Sequence, residues 1–166
     1  GAGGVLFLPW LAGSLSPAAN RSMRGGWIDV GVESTRTELL RAAVEGTARN
    51  LRWLLPHVEA FSGRSSTAVT FGGGAARSAP WAQTIADVLA RPVDVLAAPS
   101  TAAAAAVAQL AVRRQTGEDP LGTSLPVAAR FEPDPSATAA HDELQPHFEA
   151  AFEAILPICQ ALHPVL

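Results

Sequence analysis

Residues 71–83 read F-G-G-G-A-A-R-S-A-P-W-A-Q, and this stretch constrains the fold more than any other in the chain. A short apolar run, residues 68–71, leads into it. Ser78, Pro80, Trp81, Ile85, Val88 and Leu89 lead out of it with the spacing of a capped amphipathic helix. The pattern is strand, glycine turn, helix. Glycine has no Cβ, so Gly72, Gly73 and Gly74 permit positive φ and let a ligand come within contact distance of the main chain. A strand that feeds a helix through such a turn also aims free N–H groups beyond its carboxyl end, which favours a nucleotide or another anion. Three glycines can equally let a helix pack closely on a sheet, and the stretch by itself leaves both readings open. Two familiar phosphate motifs are excluded. A G-x-G-x-x-G fingerprint fails because Arg77 stands where the third glycine belongs after Gly72 and Gly74. A lysine-dependent phosphate loop fails because all 12 basic residues are arginine.

Beyond Arg91-Pro92, Val93-Asp94-Val95-Leu96 reads as a second strand, and two strands joined by a helix predict a right-handed parallel crossover. Upstream, Thr35 and Glu38 form a capping box that starts a helix. Leu40, Val44, Thr47, Ala48, Leu51, Leu54, Leu55 and Val58 recur on one face, expected to lie against a sheet. Glu45 and Arg49 are expected to pair on the solvated side, and Pro56 to kink or end the helix. Residues 1–33 concentrate Gly, Pro and Trp and predict an irregular, partly buried opening segment with short extended pieces at residues 5–8 and 27–30. Arg24 is expected to satisfy loop carbonyls there. Ser100 or Thr101 caps a third helix beginning with the alanines 102–106, residues 117–126 form a loop, and a last helix starts at Pro135. That helix should turn Phe148, Phe152, Ile155 and Leu156 inward and break at Pro146 and Pro157.

The 166 residues and 48% hydrophobic content suffice for one domain with a real core. A net charge of −3 lacks the basic excess that a nucleic acid or an anionic membrane surface requires, so a small molecule or a protein is the expected partner. Residues 5–11 are apolar but too short to span a bilayer and are interrupted by Pro9. The lone Cys159 sits among Leu156, Ile158 and Leu162, which predicts a buried thiol and a reducing, cytoplasmic location. His141 and His147, near Asp142 and Glu143, lack the spacing of a metal helix, and His57 and His163 read as a kink surface and a mobile tail. No metal ligand and no covalent nucleophile is predicted.

The stretch 70–93, T-F-G-G-G-A-A-R-S-A-P-W-A-Q-T-I-A-D-V-L-A-R-P-V, resembles the adenosine motif of the FGGY carbohydrate kinases. Two further segments stand in the order that family has them: F-L-P-W-L-A-G with Ser16-Pro17 and Arg24-Gly25, then T-R-T-E-L-L-R-A-A-V-E-G at residues 35–46. The resemblance implies an α/β fold, a ribonuclease-H-like (actin-type ATPase) domain that is partial and lacks its first strands. Residues 1–166 would be the C-terminal, nucleotide-side domain of a sugar kinase. It implies ATP and Mg²⁺ as cofactors, a sugar or polyol as phosphoryl acceptor, and a missing N-terminal domain that carries the catalytic base and phosphate loops. Gly73, Gly74, Ala75 and Ser78 would contact the adenosine, the glycines through the backbone and Ser78 through its hydroxyl. No catalytic residue is assigned within the chain. Ser14, Asp29 and Ser100 depart from the family pattern. They suggest the other reading, a non-catalytic actin-like module serving protein interaction. The apolar surface left by a missing half would also permit a homodimer.

Overall fold

The computed structural model describes residues 1–97, 104, 108, 111, 112, 115–117 and 126–164. Strand β1 (Leu6–Leu8) pairs antiparallel with β2 (Gly26–Ile28), Leu6 opposite Ile28 and Leu8 opposite Gly26. Helix α1 (Arg36–Ser62) follows, then β3 (Val69–Phe71), a 3₁₀ turn (Gly74–Arg77), α2 (Ala79–Leu89), β4 (Val93–Leu96), β5 (Val127–Phe131) and α3 (Pro135–Leu162). The second sheet has the order β3-β4-β5. β3 and β4 run parallel across α2, with Val69 opposite Val93 and Phe71 opposite Val95, and β5 returns antiparallel to β4. Between β4 and β5 the described positions 104, 108, 111, 112, 115 and 116 are helical. The expected cap at Ser100 or Thr101 and most of the expected loop 117–126 lie outside the described residues.

The capping box opens α1 as the sequence predicts. The Glu38 amide donates to Thr35 Oγ1 at 3.2 Å and the Thr35 amide to Glu38 Oε2 at 2.7 Å, so two amides without helical partners are satisfied reciprocally. The face that α1 buries is a different one from that expected. Its buried residues are Ala42, Glu45, Gly46, Ala48 and Arg49, whereas Leu40 is 59% exposed and Val58 47% exposed. Close approach explains the choice. A Cβ on Gly46 would collide with the Phe7 carbonyl, so the helix backbone lies directly against β1, and Ala48 packs into α2 beside Ile85 and Val88. Large side chains cannot occupy a seam this narrow, and small ones carry no periodic apolar signal.

The internal prolines do not end their helices. α1 runs through Pro56, and α3 runs through both Pro146 and Pro157 to Leu162. Each proline costs its helix about 3 kcal/mol in isolation. Tertiary packing offsets this in α3, where Phe148, Phe152 and Cys159 are buried against Leu8, Trp10 and Met23. The rings of Trp10 and Phe152 meet edge to face at 4.9 Å. Ile155 and Leu156 join the rim of that cluster, as expected. Asp134 begins α3 by accepting from the amides of Ser136 and Ala137.

The opening segment is tied to the far end of α3. Cys159 Sγ accepts from the Arg24 amide at 3.3 Å and is buried, in line with the sequence reading. Arg24 donates Nη1 to the carbonyls of Arg21 and Met23, the structural role expected of it. His163 is no loose tail, because its carbonyl accepts from Ser22 Oγ at 2.6 Å.

Candidate functional site

The glycine turn stands at the carboxyl end of β3 and leads into α2. Only Gly73 of its three glycines has positive φ, at 88° with ψ −172°, a conformation L side chains rarely adopt. Gly72 and Gly74, which could also take positive φ, do not. Gly74 is exposed, and a Cβ built on it would meet only Arg77 Nη2, at 3.9 Å. The turn is closed by the Ala76 amide donating to the Gly73 carbonyl and the Ser78 amide to the Ala75 carbonyl. It is anchored by Ala76, buried with Ala82 and Val95. The amides of Gly74 and Ala75 have no acceptor among the described residues. Arg77 is exposed and also without a partner among them.

Ser78 holds the N-cap position of α2 through its backbone. Its carbonyl accepts from the amides of Trp81 and Ala82, both at 3.1 Å, while its hydroxyl makes no capping bond. That hydroxyl is therefore open to a ligand. Ser78 also stands on the wall of a cavity of about 510 Å³ between α1 and α2, with Leu40, Val44, Trp81 and Asp87. Gly73, Gly74 and Ala75 do not line it. The four expected site residues are thus brought together in one turn, with Ser78 at the border of the cavity.

Gln83, on the same cavity wall, ties α2 to the β5–α3 connection. Its Nε2 donates to Asp87 Oδ1 and to the Glu132 carbonyl, each at 2.8 Å, and Asp87 Oδ1 also accepts from the Asp134 amide. Asp87 is 9% exposed and fixes α2 to the β5–α3 connection. The sequence reading missed it. The available signal was its i+4 spacing from Gln83 on the buried face of α2.

Glu45 and Arg49 correct another expectation, since they are buried between α1 and α3. Arg49 donates Nη1 to the His141 carbonyl at 3.1 Å and Nη2 to His141 Nδ1 at 2.9 Å. Glu45 Oε1 pairs with Arg41 Nε at 2.8 Å and Oε2 approaches Arg49 at 3.7 Å. Burial, and after it the Arg49 charge, lowers the His141 pKa to about 4, and burial lowers that of Arg49. His141 is thereby held neutral as an acceptor, and the trio works as a clamp between helices. Among the described residues no group of three or more His, Cys, Asp or Glu is placed to hold a metal ion. No described helix is long and apolar enough to cross a membrane.

A sequence model of the FGGY family of carbohydrate kinases, C-terminal domain, matches residues 1–113. This chain belongs to the FGGY family. It is 29% identical over 157 residues to the xylulose kinase of Escherichia coli K12, covering 93% of this chain and 32% of that protein. It is 33% identical over 137 residues to the glycerol kinase of Oleidesulfovibrio alaskensis, covering 81% of this chain and 28% of that one. The crystal structure of a xyloylose kinase from Brucella ovis superposes with a TM-score of 0.81 at 30% identity, covering 95% of this chain and 33% of the other. This FGGY chain has the actin-like ATPase fold of those kinases and is a partial domain. It spans about a third of the length of the relatives it matches.

Proposed function

We propose that this chain is the adenosine-binding, C-terminal portion of an ATP-dependent carbohydrate kinase that transfers the ATP γ-phosphate to a sugar or polyol hydroxyl, with a xylulose-like ketose favoured. The observation that carries the reading is the turn itself: Gly73 in a glycine-only conformation, open amides at Gly74 and Ala75, and a free Ser78 hydroxyl, all inside the segment matched to the family. The named activities of the Escherichia coli and Brucella ovis proteins support the ketose. On this reading the whole of residues 1–166 is one nucleotide-side unit. Gly73, Gly74 and Ala75 offer backbone to the adenosine, and Ser78 adds one hydrogen bond. Phosphoryl transfer rests on positioning and on neutralising charge, and Mg²⁺ supplies the latter on the phosphates. No catalytic residue is assigned within this chain, and on this reading the catalytic base and the phosphate loops stand in the N-terminal domain that the family resemblance implies. The chain alone then binds nucleotide without turning it over.

Calorimetric titration of ATP into the parent and two folded variants tests the assignment. Ser78→Ala removes one neutral hydrogen bond, so affinity should fall about two- to tenfold. In Gly74→Val the new Cβ meets only the flexible end of Arg77, at 3.9 Å, and φ at Gly74 is not positive. The fold should therefore survive while the ligand's approach is blocked. Parent-like ATP binding by Gly74→Val would make the turn a packing device and overturn the assignment.

A further inference from the structure

Arg77 is the only charged residue in the stretch 71–83. Five described arginines form ion pairs, Arg41 and Arg49 with Glu45, Arg52 with Asp142, Arg91 with Glu59, and Arg130 with Asp94 and Glu132, whereas Arg21, Arg36 and Arg64, like Arg77, have no side-chain partner among the described residues. Arg77 has no hydrogen-bond or ion-pair partner among the described residues. Its side chain folds back over the turn, placing Nη2 3.9 Å from the point a Gly74 Cβ would occupy. The cation thus lies near the open side of Gly74, within the turn. Its donors are uncommitted among the described residues, which leaves the guanidinium available to a ligand seated on the turn.

We infer that Arg77 lays its guanidinium against the face of the bound nucleobase and is a base-binding residue of the site. The inference rests on the reading of this turn as the adenosine site, because Gly73, Gly74, Ala75 and Ser78 bracket Arg77. A delocalised, weakly hydrated guanidinium stacks on aromatic faces, and the contact strengthens when the ring excludes water from it. Lysine has the charge but not the plane. Base stacking and a phosphate contact therefore make different demands on this position.

Adenosine, which carries the base and no phosphate, is the deciding probe. Adenosine and ATP are titrated into the parent chain, Arg77→Gln and Arg77→Lys, with circular dichroism to confirm the fold of each. The side chain is exposed and unpaired, so both variants should fold. Stacking predicts that Arg77→Gln loses about tenfold in affinity for adenosine and ATP alike, and that Arg77→Lys recovers little of it. Unchanged adenosine affinity with weakened ATP binding would make Arg77 a phosphate contact and overturn the inference. Unchanged affinity for both ligands would also overturn it while leaving the nucleotide assignment intact. If the parent binds neither ligand, the assignment of the turn fails and the inference falls with it.

Discussion

Gly73 and Gly74 separate two jobs that a run of glycines mixes in sequence. Gly73 pays for backbone shape: nothing lies within 4 Å of a Cβ built there, so Gly73→Ala meets no clash and only the conformational strain at φ 88°. That strain should cost about 1–3 kcal/mol of stability in urea denaturation. Gly74→Ala has neither strain nor clash and should leave stability within about 0.5 kcal/mol of the parent. Equal losses at the two positions would contradict the distinction. His141 supplies a pH signature at the same scale. Its folded pKa of about 4 lies below the ordinary 6.5, so between those values the unfolded chain takes up a proton that the folded chain refuses. The groups facing it are Arg49, Glu45, Asp87 and the amino terminus. Stability should therefore be level above about pH 6.5 and fall by about 2 kcal/mol from pH 7 to pH 5, with His141→Gln removing most of the slope. A parent profile that is flat across that range would show that His141 is not held neutral.

At the scale of elements, the helix that follows the glycine turn was legible and the seams between helices were not. The strand before the turn, α2 and β4 were readable because a capped apolar run, an Arg-Pro stop and a β-branched strand signal agree locally. β5 was missed because Val127 to Arg130 are exposed and show no alternation, as suits an edge strand. The α1 face was misread because its buried seam is built from Ala42, Gly46 and Ala48, and because Arg49 finds His141 at a separation of 92 residues. Local periodicity carries no record of such a partner. The displaced apolar row on α1 has a consequence of its own. Leu40, Leu51, Val58 and Phe61 are 59%, 39%, 47% and 95% exposed. This exposed stripe should drive association of the isolated chain. Sedimentation velocity across a concentration series should show the parent associating and a Leu40→Glu/Leu51→Glu variant monomeric with unchanged stability. A parent that stays monomeric throughout would show that the stripe is tolerated in water.

For the whole molecule, family and fold were readable from three short segments in the right order, and the family match over residues 1–113 agrees with them. The turn's location was readable too, since a strand and a helix flank it in sequence. Its internal division of labour was not, because φ at Gly73, the free hydroxyl of Ser78 and the fold-back of Arg77 exist only once β3 and α2 are set by the sheet and by the Gln83–Asp87 support. The claim that everything here converges on is that an adenine nucleotide seats on the backbone of residues 73–78. Amide chemical-shift mapping of the isotopically labelled chain during an ATP titration reads that backbone directly. The largest shifts should fall on Gly73, Gly74, Ala75 and Ser78, spread to the amides of Arg77 and Trp81, and disappear in Gly74→Val. An absence of saturable shifts in the turn, or a set centred on the α1–α3 clamp at Arg49 and His141, would contradict it.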